Sequence, residues 1–246
     1  MVVRNRNLRW PVPKDLRRRL RGERVRDIRR RGKYLLFDFP RGHLLVHLGM
    51  SGRLTVVPEG TAPRKHDHVD LTLDDGRVLR FNDARRFGTV LWLETPAEQH
   101  ALLRDLGLEP LDASFSGAEL RSRAKGRRAS IKQFLMNGGI VTGVGNIYAS
   151  EALFHAGIHP ARRAGEISAP RWDRLAKSIR NTLERAIDSG GSTLRDFVSA
   201  EGRPGYFQHR HAVYGRAGKS CPACETRIRS MRQGQRSTFY CPRCQK

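Results

Sequence analysis

The chain has four cysteines, all in its last 26 residues: Cys221-Pro222-Ala223-Cys224, then sixteen residues, then Cys241-Pro242-Arg243-Cys244. Two Cys-x-x-Cys knuckles set four thiolates at the corners of a tetrahedron, which is how Zn²⁺ is held in closed structural sites. Disulfides or free thiols are the alternative, disfavoured by the regular pairing and by the reducing chemistry expected inside a cell. Four protein ligands leave the metal no open position, so one structural Zn²⁺ should hold a hairpin together rather than catalyse. Between the knuckles lie Arg232, Gln235, Arg236, Ser237 and Thr238, a set of donors suited to phosphate.

Other candidates are spread along the chain. From Arg17 to Lys33 ten of seventeen residues are basic, opposed by Glu23 and Asp27. Most of these read equally well as a solvated face, but Lys33 opens an apolar strand and could be held rigidly at a cleft edge. His47-Leu48-Gly49-Met50-Ser51-Gly52 and Asp83-Ala84-Arg85-Arg86-Phe87-Gly88 each place a bulky residue beside glycines in a turn. Met50 and Phe87 are then either core residues or apolar tips that a partner must bury, such as wedges between DNA bases. His66-Asp67-His68 reads as the start of a strand with one histidine facing phosphate, in preference to a metal site lacking further ligands. The run from Val141 through Gly143, Gly145 and Asn146 to Glu151 is a glycine-punctuated loop entering a helix. It is either an anion site at a helix start or a plain cap.

The elements needed to position these groups follow from periodicity. Tyr34–Phe37 and Leu44–Val46 are apolar runs of strand length, and Val69, Leu71 and Leu73 alternate with Asp70 and Thr72 as a half-buried strand requires. Asp75-Gly76 predicts a hairpin turn into Val78–Phe81, and Gly88–Trp92 adds a further strand. The first part should be an antiparallel sandwich or barrel. Beyond it the period changes. Ser116 with Glu119 fits a capping box, and Asn146 to Phe154 fits an N-capped helix closed by Gly157. Trp172, Leu175, Ala176, Ile179, Leu183, Ala186 and Ile187 keep a helical period until Gly190-Gly191. The expected organisation is α+β and multidomain, with a sheet domain over 1–111, a helical domain over 112–207 and a zinc finger over 208–246.

Composition agrees. Lys and Arg number 47 against 24 Asp and Glu, a formal charge of +23, far more than solubility needs and suited to a polyanion such as nucleic acid. A hydrophobic fraction of 38%, with 24 glycines besides, is enough for a globular core and excludes wholesale disorder. No stretch approaches the roughly 18 apolar residues of a membrane span, and no apolar signal core opens the chain. The expectation is a cytoplasmic, nucleoid-associated monomer that does not engage membranes.

In order along the chain, Arg31-Gly32-Lys33-Tyr34-Leu35-Leu36, His47-Leu48-Gly49-Met50-Ser51-Gly52, Lys65-His66-Asp67-His68-Val69-Asp70-Leu71, Arg85-Arg86-Phe87-Gly88, the Gly143–Glu151 run, Gly205-Tyr206-Phe207, Val213-Tyr214-Gly215 and Gln235–Cys241 resemble the formamidopyrimidine-DNA glycosylase family. The resemblance covers essentially the whole chain. It implies an N-terminal β-sandwich, a helix–two-turns–helix domain and a C-terminal four-cysteine zinc finger, with bent DNA between the halves. It implies base-excision repair of double-stranded DNA carrying oxidised bases or abasic sites, with excision of 8-oxoguanine and formamidopyrimidines followed by lyase cleavage through an imine. By position, Met50, Arg85 and Phe87 resemble the triad that fills the hole left by an everted nucleotide. Flipping costs a few kcal/mol, which inserted side chains offset in part. Lys33, Asn146 and Arg236 resemble residues gripping phosphates around the lesion, with Lys33 and Arg236 serving the proton transfers of elimination. His66 and Arg127, within Lys125-Gly126-Arg127-Arg128, resemble further DNA contacts. Ser199–Phe207 resembles the loop that covers an extruded base.

One departure stands out. The family's mature chain begins Pro-Glu, where the proline amine is the nucleophile and the glutamate the acid. An α-amine, with a pKa of roughly 7.7–8.0, supplies far more free base at neutral pH than a lysine near 10.4. Here the chain begins Met1-Val2-Val3, and Arg4–Pro11 resembles a stretch that follows the family's first helix. The expectation is a start assigned to an internal methionine; the alternative is a catalytically disabled binder of damaged DNA.

Overall fold

A computed structural model describes residues 1–94, 96–190 and 211–246. Gly205–Phe207 and Ser199–Phe207 lie outside the described residues. The chain divides into two compact units, one built from Met1–Arg104 and the other from Asp105–Asp188 together with residues 211–246.

The first unit contains β1 (Val2–Val3), α1 (Leu16–Leu20), β2 (Asp27–Arg31), β3 (Tyr34–Phe39), β4 (Gly42–His47), β5 (Arg53–Pro58), β6 (Asp67–Thr72), β7 (Arg77–Asn82) and β8 (Thr89–Leu93). These form two four-stranded antiparallel sheets, ordered β1-β6-β7-β5 and β2-β3-β4-β8, so of the two expected architectures the sandwich is the one adopted. Phe37, Phe39, Leu44, Val46, Val69, Phe81 and Val90 fill its core, joined by Leu8, Val12 and Leu16. Burial of such side chains at about 25 cal/mol per Å² of apolar surface is the main force closing the sandwich. Gly76, at φ +76°, makes the expected turn between β6 and β7, which a side chain would disfavour.

The expected alternation along β6 does not hold: Asp67, His68, Val69 and Asp70 are all buried. Asp70 stands directly opposite Arg80 in the β6–β7 register. Its carboxylate accepts from Arg80 Nε (2.9 Å) and Nη2 (2.9 Å), and from Arg4 Nη2 (2.7 Å). A charge facing its counter-charge across a ladder can be buried where a lone one could not.

The second unit contains α2 (Gly117–Ala124), α3 (Ile131–Leu135), α4 (Asn146–His155), α5 (Ala169–Asp188) and the hairpin β9 (Arg229–Gln233) and β10 (Arg236–Tyr240). Leu120, Ile131, Phe134, Leu135, Leu153, Trp172, Leu175 and Ile179 form its core. Ser116 Oγ caps α2 by accepting from Glu119 N (3.2 Å), while the Glu119 carboxylate accepts from Arg123 Nε (2.9 Å). The α5 stripe is buried at Trp172, Leu175, Ala176, Ile179 and Ala186 and half-buried at Leu183, but Ile187, a further 100° round the helix from Ala186, is exposed.

Helix α4 starts differently from the expected cap. Gly145 is the residue before its first turn and Asn146 is already helical. At the other end Gly157 (φ +67°) lets Ile158 N reach Leu153 O (3.0 Å), closing the helix as expected. No helix among the described residues is long and apolar enough to cross a membrane.

Candidate nucleic-acid interface and zinc site

The four cysteine sulfurs lie within 4.8 Å of one another. Cys221 and Cys244 are 3.9 Å apart, Cys224 and Cys241 3.4 Å, and Cys224 and Cys244 3.3 Å. A disulfide needs about 2.05 Å, whereas a tetrahedron of Zn–S bonds near 2.3 Å needs sulfurs about 3.8 Å apart. The residues therefore fit one structural Zn²⁺ held by Cys221, Cys224, Cys241 and Cys244. Ala223 N donates to Cys221 Sγ and Cys244 N to Cys241 Sγ, each at 3.4 Å. Gln245 ties this knot to the helices, accepting from Cys241 N (2.8 Å) and donating to Ile158 O (3.0 Å).

The hairpin between the knuckles turns at Gly234-Gln235 and presents Arg236 as the exposed first residue of β10. Thr238, expected among the phosphate donors, is instead fully buried. Its hydroxyl accepts from Lys132 Nζ (2.7 Å) and donates to Gln233 Oε1 (2.9 Å). Lys132, on α3, is 1% exposed and also donates to Ser237 O (3.0 Å). Burial, with the positive charge of Arg236 adding to it, pushes the Lys132 pKa down to about 8.

Asn146 also reaches this hairpin. Its Nδ2 donates to Ser237 O (3.1 Å) and Tyr214 Oη (3.3 Å), while its Oδ1 is buried without a hydrogen-bond partner among the described residues. Tyr214 is placed in turn by buried Glu151, whose carboxylate accepts from the backbone N–H groups of Ala212 (2.7 Å), Val213 (3.0 Å) and Tyr214 (2.8 Å). Arg127 is exposed in the turn after α2, its Nε donating to Arg123 O (2.8 Å). The second unit thus joins Asn146, the Arg236 hairpin and the cysteine knot through one polar seam.

The first unit holds the remaining candidates. Lys33 is exposed in the two-residue turn Gly32-Lys33 between β2 and β3. His47 ends β4, packs its ring against that of Tyr34 at a centroid distance of 4.7 Å and a 42° tilt, and accepts from Gly49 N (3.0 Å). Burial, then repulsion from Lys33 and Arg9, lowers its pKa to about 4, so at neutral pH it is an uncharged acceptor. Met50 is 65% exposed and Phe87 42%, so neither belongs to the core. Their turns abut: a Cβ on Gly49 would lie 2.6 Å from the Phe87 carbonyl carbon. Arg85 lies over the Phe87 ring at 4.6 Å, the range of a cation–π contact. His66, at φ +76°, immediately precedes β6.

Of the residues expected from sequence, Lys33, Met50, His66, Arg85 and Phe87 lie in one unit, and Arg127, Asn146, Arg236 and the four cysteines in the other. Reading the sequence alone overlooked Lys132, Glu151, His47 and Asp83 as positioning groups. For Lys132 the available signal was a lone cation inside the apolar run Ile131–Leu135; the others sat inside noted motifs, overshadowed by more conspicuous neighbours.

Comparison with known proteins matches all three segments. Residues 1–90 match the formamidopyrimidine-DNA glycosylase N-terminal domain, 106–198 the formamidopyrimidine-DNA glycosylase H2TH domain, and 218–246 the zinc finger found in FPG and IleRS. The formamidopyrimidine-DNA glycosylase of Methylococcus capsulatus is 55% identical over 244 residues, covering 99% of this chain and 90% of that protein. That of Syntrophotalea carbinolica is 54% identical over 246 residues, 100% of this chain and 91% of its own. Among solved structures, a Lactococcus lactis FPG mutant in complex with Fapy-dG-containing DNA superposes with a TM-score of 0.90 at 32% identity, covering 100% of this chain and 90% of that one. The MutM (Fpg) protein of Thermus thermophilus gives 0.82 at 38%, covering 91% and 84%. With the sandwich, the helical fold and the four-cysteine finger all in place, the chain belongs to the formamidopyrimidine-DNA glycosylase family.

Proposed function

We propose that the protein is a base-excision-repair DNA glycosylase that removes oxidised purines from duplex DNA and cleaves the resulting abasic site by lyase chemistry. The observation that carries this reading is the pair of abutting turns holding Met50, Arg85 and Phe87 exposed together, in a chain more than half identical, end to end, to glycosylases. Apolar tips in water are a cost that insertion into a base stack would offset. Arg85 has donors for the polar edge of the base left without a partner. The same identity favours the enzyme over a binding-only member.

In this reading Lys33, Asn146 and Arg236 hold the phosphates around the lesion, and His66 and Arg127 extend the contact along the backbone. Each cation displaces counterions from DNA, which makes binding strongly salt-dependent. Lys33 and Arg236 also serve the proton transfers of strand cleavage. When bound, zinc supplies no chemistry to the reaction; Cys221, Cys224, Cys241 and Cys244 would use it to hold the Arg236 hairpin. Function as a monomer at the DNA of the cytoplasm fits the net charge of +23.

The test is borohydride trapping on an 8-oxoguanine:cytosine duplex, run with the 246-residue chain and with a form extended at its N-terminus to begin Pro-Glu. A covalent protein–DNA adduct from either supports the enzyme. Selective binding of the lesion duplex with no adduct from either overturns it in favour of a damage-binding protein.

A further inference from the structure

We propose that Asp83, acting with Ser51, is a positioning residue that fuses the two wedge-bearing turns into one rigid element, and that base extrusion depends on this brace. The inference rests on the reading above that Met50, Arg85 and Phe87 enter the DNA stack.

Asp83 is fully buried, and every polar atom it carries is used. Oδ1 accepts from Ser51 Oγ (2.6 Å) and from Arg85 N (3.2 Å); Oδ2 accepts from Gly88 N (2.7 Å). Its backbone carbonyl accepts from His68 Nε2 (2.7 Å), and its backbone N–H donates to His66 O (3.0 Å). One residue therefore pins three segments: the Met50 turn through Ser51, the Arg85–Phe87 turn at both ends, and the His66 turn ahead of β6. Ser51 Oγ closes the arrangement by also accepting from Arg85 N (3.2 Å). An aspartate side chain is suited to this work because its two oxygens can accept several hydrogen bonds at once, here from Ser51 Oγ, Arg85 N and Gly88 N.

Glycines let the turns meet. A Cβ on Gly88 would lie 2.8 Å from His47 O and 3.1 Å from Asp83 Oδ2, and one on Gly52 would lie 2.2 Å from Leu48 O. The wedge side chains thus project from a base in which the backbone is already fixed. Side chains that must be immobilised on binding each subtract from the gain, whereas a rigid presentation avoids most of that loss. Asp83 and Ser51 are both buried, so they act through the wedge and not by touching DNA.

The distinguishing experiment uses two duplexes, each with 2-aminopurine beside the site. One carries 8-oxoguanine opposite cytosine; the other carries a tetrahydrofuran abasic analogue, which has no base to extrude. With the unaltered protein, fluorescence rises on the 8-oxoguanine duplex. Ser51→Ala and Asp83→Asn should each reduce that rise at least threefold while leaving the Kd for the tetrahydrofuran duplex within twofold. Adding Ser51→Ala to Met50→Ala should change little further, because the brace has then lost a side chain to position. Equal losses on both duplexes would mean a general folding defect, and an undiminished rise in both variants would mean the brace is dispensable; either result overturns the proposal. If the unaltered protein itself gives no rise on the lesion duplex, the extrusion reading fails and this inference fails with it.

Discussion

Replacing Lys132 by methionine removes a buried ammonium while preserving most of the stem's volume. In the folded protein that ammonium donates to Ser237 O and Thr238 Oγ1, and its pKa is pushed down to about 8. In the unfolded chain it returns to about 10.4. Between those values the unfolded state binds more protons than the folded state, so stability rises with pH across this window. At about 1.4 kcal/mol per pH unit, this lysine should add about 2 kcal/mol as pH goes from about 7 to about 9.5. Lys132→Met should lack that increment. The assay is urea denaturation of the zinc-loaded proteins at both pH values, comparing the wild-type-minus-variant difference so that other titrating groups cancel. Wild type should gain on the variant by about 2 kcal/mol at the higher pH. Profiles that run parallel within about 0.5 kcal/mol, near the error of extrapolation, would refute the account of Lys132 as a buried cation clamping the hairpin. Faster amide exchange at Ser237 and Thr238 in the variant, at unchanged zinc content, would locate the effect in that clamp.

Metal analysis should find one zinc per chain, and Cys244→Ser should abolish it together with amide protection across the hairpin, since site formation and folding are coupled. Arg80→Leu should destabilise the first unit by about 3–5 kcal/mol in denaturant titration, because it strips buried Asp70 of its main counter-charge. Arg127→Gln should lower the slope of log Kobs against log salt by about 0.9 on undamaged duplex, the value for one phosphate contact. An unchanged slope would remove Arg127 from the interface.

Strand periodicity left sandwich and barrel both open, and the family came as a resemblance carried by motifs in order along the chain; the sequence by itself determined the zinc knot and the presence of the strands and helices. These rest on local signals: cysteine spacing, a two- or 3.6-residue apolar period, and glycines where a turn needs them. It also singled out Met50 and Phe87, because a bulky residue among turn glycines stands out in one dimension, but it left core and exposed tip both open, and Arg85 joined them only through the resemblance. Tertiary structure alone decided which polar residues are buried and by whom they are satisfied. Asp70 looked like the wet side of an alternating strand until Arg80, from the neighbouring strand, faced it. Thr238 looked like a phosphate donor until Lys132, 106 positions away, took its hydroxyl. Asn146 looked like a cap until its amide turned to Ser237 and Tyr214. In each case the partner is distant along the chain, and a polar side chain's fate is set by whether a complementary group meets it in space. Periodicity records which face is apolar; it carries no information on which charge will find its counterpart across a fold.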